Sequence, residues 1–303
     1  MWQPEPGWHP LPGGTGTSTL GVWRTVLGDQ PVVVKRLVAP GPQDPAVLSD
    51  PAHFAYWRRG ADVLTAALVE RTPGLRALPA AVEEDGEGIT ITQEWVEDAA
   101  NSGLFCAHGL GRFAAADLGG VRWLARDQLR DRMRRVERNG GWRTLARTPV
   151  ADVAAHLWDR RESLLADLDA ITQVTQHGDP VPGNLPGRLG NDVLAVDWGT
   201  LGRGPVGADL GYFMLTAREE FEPLLEAYLL GLPDGVGTAA EAALGARVTA
   251  VLTVLNRAEW ALARVAGGEG ALAGKFRHPA VAPHLRALQR QFPAMEELLG
   301  HQS

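Results

Sequence analysis

Long apolar runs are missing from this chain of 303 residues. None approaches the roughly 20 consecutive residues needed to span a bilayer. The opening stretch MWQPEPGWHPLPGG places prolines where a signal peptide needs an apolar segment, so a cytoplasmic protein without a membrane partner is expected. Cysteine is nearly absent. Cys106 is the one present, which excludes an intrachain disulfide, suits a reducing compartment and reads as a small buried hydrophobe. A basic excess is lacking as well. The 29 Lys and Arg against 36 Asp and Glu leave a net charge of -7, which argues against a nucleic-acid partner and is compatible with a cationic ligand. Lysine is scarcest of all, because only Lys35 and Lys275 are lysines and every other basic residue is arginine. A lysine inside the apolar segment PVVVKRLV therefore calls for a reason.

What is present describes an ordinary globular chain, 45% hydrophobic and 21% charged, of a length that suits two lobes. Ten tryptophans are scattered without a repeat and read as core and interface filler. From Gly7 to about Val96, the segments STLGVWRTV, PVVVKRLV and GITITQEWV carry the β-branched and aromatic residues of strands, the first two joined by a hairpin turn at LGDQ. Between the second and third, SDPAHFAYWRRGADVLTAALVE opens with an Asp cap and an early proline and predicts a helix. Beyond Val96 the text turns to Ala- and Leu-rich helices, in LFCAHGLGRFAAADL, GVRWLARDQLRDRMRRVERN, PVADVAAHLWDRRESLLADLDAI, GADLGYFMLTAREEFEPLLEAYLLGL, AAEAALGARVTAVLTVLNRAEWALARVAG and VAPHLRALQRQF. Strands followed by helices predict an α+β chain of two lobes, residues 1–96 and 97–303. The arginines from Val121 to Asn139 interleave with Asp127, Asp131 and Glu137, which favours a solvated face of i,i+4 ion pairs over an anionic docking site.

One stretch interrupts the helices, QHGDPVPGNLPGRLGNDVLAVDWG from Gln176 to Gly199. Pro180, Pro182 and Gly183 exclude helix and central strand around Asp179 and Asn184, and either polar residue alone would read as turn chemistry. The apolar run DVLAV then brings Asp197 to the rim where a strand emerges, and an ionised carboxylate there needs a cation or hydrogen-bond donors. Two acids and an amide supply hard oxygen ligands and a base, a set suited to Mg²⁺ with phosphates and hence to phosphoryl transfer.

The pattern HGD-x₄-N followed by a strand ending in DW resembles the aminoglycoside phosphotransferase family, small-molecule relatives of the protein kinases. The flank GRGPVGADLGYF and the pieces YWRR and EWVED extend the resemblance over nearly the whole chain. It implies a bilobal protein-kinase-like fold with a small β-rich N-lobe and a larger helical C-lobe. It also implies ATP or GTP and Mg²⁺, and a small molecule bearing a hydroxyl as acceptor. By that resemblance Asp179 would take or orient the acceptor proton, Asn184 and Asp197 would hold Mg²⁺, and Lys35 would reach the α- and β-phosphates. Gly13, Gly14, Thr15, Gly16 and Thr17 would form the loop over the phosphates. Gln93 to Val96 would be the hinge, with Glu94 and Val96 presenting backbone to the purine. Asp209 would brace the catalytic loop, and His177 would pack and hydrogen-bond rather than act as a base. Glu219, Glu220, Glu222, Glu226 and Glu259 could line an acidic pocket for an amine-bearing sugar; the alternative is solvent-facing charge on amphipathic helices.

Two positions depart from the family pattern. Gly60 stands where a helix glutamate would aim the strand lysine, and Asp62 and Glu70 lie at the wrong angle and distance to replace it. Pro180 replaces a leucine without removing a reacting group. Gly60 keeps open a nucleotide-binding pseudokinase, and a kinase of peptide Ser or Thr is a third reading that lacks a substrate-docking A-P-E segment.

Overall fold

The computed structural model describes residues 2–12, 18–138, 155–266, 278–279 and 281–291. The β-branched segments form the sheet the sequence predicts. Strands β1 (His9–Pro10), β2 (Thr19–Leu27), β3 (Gln30–Val38), β5 (Ala80–Asp85) and β6 (Gly88–Glu94) make one antiparallel sheet in the order β1-β2-β3-β6-β5. β2 and β3 turn through Gly28, at φ 62°, and pair Lys35 with Val22 on one side and Ile91 on the other. Alternation along β3 separates its faces. Leu37, Ile89 and Ile91 join the main apolar core, while Arg36 is buried on the other face. There its guanidinium meets both carboxylate oxygens of Asp85, at 2.7 and 2.9 Å, and the Trp2 ring lies 5.2 Å away. Trp2, Trp8 and Trp23 pack with centroids 5.3 to 6.1 Å apart, so three of the scattered tryptophans form one cluster.

The segment after β3 departs from the expected long helix. Helix α1 covers only Arg59–Thr65. Asp50 caps a turn at the Ala52 N–H, and the carbonyls of Pro51, His53 and Phe54 turn to the guanidinium of Arg59 instead of to helical N–H groups. Arg59 is fully buried and also donates to Trp123 O at 2.7 Å and Gly199 O at 3.0 Å. Burial pulls its guanidinium down to about 10, still charged at neutral pH. Ala67, at φ 50°, then turns the chain out of the helix.

The rest is helical around two small sheets. α2 (Gly103–Phe113) is capped by Ser102 and packs on α6 (Phe221–Gly231). α3 spans Gln128–Arg138, shorter than the sequence suggests. Residues before it turn and bend instead: Ala125 bridges Gly202, and Asp127 sits in the left-handed region at φ 50°. α4 (Arg161–Ala170) leads into β7 (Gln173–Gln176), and α5 (Ala208–Phe213) is separated from α6 where the sequence reads as one helix. α7 (Ala239–Ala266) is the long buried spine, and α8 (Ala282–Arg290) lies against it. β7 pairs with β10 (Gly202–Pro205), and β4 (Leu75–Arg76) lies parallel to β9 (Asp192–Leu194), which pairs with β8 (Gly187–Leu189). Cys106 is buried in α2, where desolvation pushes its thiol up to about 12. Among the described residues no helix is long and apolar enough to cross a membrane.

Two stability outcomes are expected. Replacing Arg59 by Met leaves four carbonyls, those of Pro51, Phe54, Trp123 and Gly199, without their donor, because His53 O also accepts from Tyr56 N–H. At about 1–3 kcal/mol for each orphaned buried group, the loss measured by urea denaturation should exceed about 3 kcal/mol. The Arg36 guanidinium holds the Asp85 carboxyl down to about 2, below its unfolded value of about 3.9. A depressed folded pKa contributes stability above the unfolded value and loses it as pH falls toward 2. Denaturation midpoints of Asp85→Asn should therefore fall less steeply between pH 4 and pH 2 (about that window) than those of the parent chain. Parallel slopes would contradict the assignment.

Candidate active site

β7 and β10 carry the ends of the central loop. From β7 the chain enters His177-Gly178-Asp179, and Gly178 turns at φ 83° where an added Cβ would meet Thr200 O at 2.5 Å. A side chain at 178 is thus excluded both by conformation and by space. Asp209, in the first turn of α5, accepts from His177 N–H at 2.7 Å and from Gly178 N–H at 2.9 Å, so it braces the loop from below. Burial pushes the Asp209 carboxyl up, while those two N–H groups favour its charged form.

His177 is fully buried against Trp198, with ring centroids 4.8 Å apart. Asp179 N–H donates to Nδ1 at 3.3 Å, which assigns the ring proton to Nε2 and directs it to Val196 O at 3.0 Å. On the other side of the same residue, Val196 N–H donates to Asn184 O at 2.9 Å. Val196 is therefore tied to both ends of the loop, and the register of Asp197 depends on it. Asn184 closes the loop on itself through Nδ2, which donates to Asp179 O at 2.9 Å and lies 3.4 Å from Asp179 Oδ2.

Asp197 lies three residues beyond β9, in the left-handed conformation at φ 61°. Its carboxylate meets Lys35 Nζ at 2.7 Å. The ammonium holds that carboxyl below the usual carboxylate range. The side chain is 47% exposed although protein surrounds it on several sides, as expected at the floor of an open cleft. A pair this accessible contributes roughly 0–1 kcal/mol to folding, so its consequence lies in placing a cation beside the acid rather than in stability.

Gly60 occupies the helix position next to this pair. A Cβ there would lie 3.7 Å from Gly199 N, an ordinary contact, so the turn after Asp197 has room for a side chain. Asp62 does not replace the missing acid, since it bonds Arg58 at 3.0 Å. Glu94 ends β6 exposed, and Trp95 N–H bonds Pro31 O. Val96 packs where an added Cβ on Gly187 would stand 2.4 Å from its Cγ1. Gly13, Gly14, Thr15, Gly16 and Thr17 lie outside the described residues.

The glutamates do not gather into an acidic pocket. Glu219 accepts from Gly103 N–H at 2.7 Å and so satisfies the start of α2. Glu220, Glu222 and Glu226 are exposed in and just before α6, whereas Glu259 is buried in α7. Two cavities of about 450 and 190 Å³ share Arg132, the larger reaching Gly178, and none of these five residues lines either. Their walls are instead partly arginine. Sequence reasoning passed over Arg132, which lies in the run from Val121 to Asn139 read as surface charge, and met Arg59 only as part of the piece YWRR.

The Phosphotransferase enzyme family matches residues 11–244. No curated protein sequence matches the chain. Among solved structures, a choline kinase from Streptococcus pneumoniae is 13% identical with a TM-score of 0.58, covering 93% of this chain and 95% of its own. An amicoumacin kinase in complex with AMP-PNP and Ca2+ is 12% identical at a TM-score of 0.58, with 96% and 93% covered. A spectinomycin phosphotransferase with ADP and its antibiotic is 12% identical at 0.56, with 97% and 92% covered. At these identities the neighbours speak for the fold, a β-rich N-terminal region and a helical C-terminal region of kinase type. With the family match spanning most of its length, the chain belongs to the phosphotransferase enzyme family.

Proposed function

We propose that this protein transfers the γ-phosphate of ATP or GTP to a hydroxyl of a small molecule, with Mg²⁺. The observation that supports this reading most is the hydrogen-bonded unit joining Asp179, Asn184 and Val196, which carries Asp197 to Lys35. Asp179 would accept the proton of the attacking hydroxyl, and its backbone ties to His177 and Asn184 hold it for that task. Lys35 would bind phosphate oxygens, exchanging its present partner for them. The donor chemistry fits Mg²⁺, since Asn184 and Asp197 offer oxygens and Lys35 meets only Oδ1 of Asp197. When bound there, the ion would neutralise charge on the nucleotide phosphates. The nucleotides bound to relatives of the same fold are in keeping with this donor.

A second reading, nucleotide binding without transfer, draws on Gly60, because no helix carboxylate competes with Asp197 for Lys35.

Two measurements separate these readings. Phosphate transfer from labelled ATP and GTP to a panel of alcohols should fall about 10²- to 10⁴-fold in Asp179→Ala while Mg-nucleotide affinity stays within error. Turnover indifferent to that change would remove the proposed base. In Gly60→Glu, a carboxylate reaching Lys35 is worth about 1.5–3 kcal/mol, so transfer should rise about tenfold to a hundredfold. An unchanged rate would show that Asp197 alone positions the lysine.

A further inference from the structure

The two cavities share Arg132, Tyr212 and Thr253 as walls. The larger reaches Gly178, the residue before Asp179. On α7, Thr249, Thr253 and Asn256 fall at i, i+4 and i+7, hence on one face of the helix. All three are at least nine-tenths buried, yet Thr249 Oγ1, Thr253 Oγ1 and Asn256 Oδ1 have no hydrogen-bond partner. Gln128 Oε1, on the larger cavity's wall, is in the same state. Buried polar atoms are normally paired, and four orphans on residues that line these two adjoining cavities are groups that a ligand would satisfy once the side chains turn toward it.

The charge of that space is the second observation. Arg132 is 9% exposed and lies between the rings of Phe54 and Tyr212, at 5.3 and 5.0 Å. It donates to Gly178 O at 3.2 Å, and among the described residues no carboxylate pairs with it. Arg257 also rests on the Tyr212 ring, at 4.4 Å. The smaller cavity has three arginines and no acid in its wall. In the larger, Asp169 is held by Arg130 and Asp209 by the loop N–H groups, and the exposed Asp127 is a third acid in a wall that also carries Arg126, Arg130, Arg132 and Arg203. A buried guanidinium without a counter-charge is costly, and an oxyanion from outside would relieve it.

We propose that this space receives the phosphate acceptor and that the acceptor is an anionic polyol. Its carboxylate or phosphate meets Arg132 and Arg257, and its hydroxyls donate to Thr249, Thr253, Asn256 and Gln128. This rests on the phosphotransferase reading above and departs from the amine-bearing sugar that acidic helices would suit. Because Arg132 also donates to the carbonyl of Gly178, an anion on it lies beside the residue that precedes the proposed base.

Calorimetric titration of the full chain, without nucleotide, tests the selectivity on two skeletons. The probes are glucose, glucosamine, gluconate and glucose 6-phosphate, then glycerol, glycerate and glycerol 3-phosphate. At least one acid should bind about tenfold or more tighter than its neutral and amine counterparts. The arm that does so identifies carboxylate or phosphate as the anion. Arg257→Gln, at a partly exposed position, and Arg132→Lys should each weaken that acid about tenfold. Thr253→Val should weaken it while raising the thermal midpoint, because it removes an orphaned hydroxyl without changing shape, an effect a purely structural threonine would not give. Equal or tighter binding of the neutral or amine probes, no binding of any acid, or acid binding untouched in Arg257→Gln would overturn the proposal. Anion-selective binding with no phosphorylated product on adding Mg-ATP would leave the site standing and sink the kinase reading. Phosphorylation of glucosamine in preference to the acids would do the reverse.

Discussion

The buried guanidinium of Arg59 ties together parts of the chain that have no other reason to meet. Its five bonds run to carbonyls at 51, 53 and 54, to Trp123 ahead of α3, and to Gly199 in the turn after Asp197. A charge taken out of water must find polar partners, and here carbonyl oxygens take its hydrogen bonds while the Tyr56 ring lies 5.5 Å away. Meeting that demand shortens α1, bends the preceding segment into turns, and fixes the N-terminal helix on the turn next to the site acid. Where Arg59 sits, Gly60 sits beside Gly199, so the geometry around Lys35 and Asp197 is set by this neighbour.

The site itself is built on peptide groups more than on side-chain pairs. Val196 is gripped at N–H by Asn184 and at C=O by His177, while Asp209 holds the N–H groups of His177 and Gly178. These bonds act between residues up to 32 apart and leave the Asp197 carboxylate to Lys35. In this arrangement Lys35 and Asp197 are mutual partners, an arrangement suited to a resting state that opens when phosphate oxygens compete for the lysine.

Arginine plays different parts in the same chain according to burial. Arg130 pairs across to Glu162 and Asp169 of α4, and Arg134 with the buried Asp131 three residues back, so these arginines do not make the i,i+4 pairs that the charge pattern of α3 suggests. Arg132, two residues from each, turns inward between aromatic faces. Planar and weakly hydrated, a guanidinium tolerates that stacking better than an ammonium would. The chain's near-exclusive use of arginine is consistent with such positions, and lysine is kept on β3, where a compact charge meets Asp197.

Periodicity made the sheet legible, since β2, β3 and β6 alternate as the strand pattern requires, and the hairpin at Gly28 was readable from its turn residues. The motif from His177 to Trp198 was legible for a related reason, because prolines and glycines confine its first half to loop and the apolar run from Val193 to Val196 leads directly to Asp197. Helix ends were not legible. At residues 51–58 and 121–127 the propensity favours helix, but long-range bonds to Arg59 and the bridge to Gly202 take the carbonyls and N–H groups away. The glutamates misled for the same reason: a carboxylate's partner is chosen by what packs against it, and Gly103 claims Glu219 from 116 residues away. The sequence by itself determined the strand lysine, the loop acids and their order, because local backbone chemistry and alternation are written in neighbouring residues. Only the tertiary structure decided that Lys35 pairs with Asp197, that Arg59 and Arg132 are buried, and that four orphaned polar groups belong to residues lining two adjoining cavities, because burial and pairing depend on residues far apart in the chain.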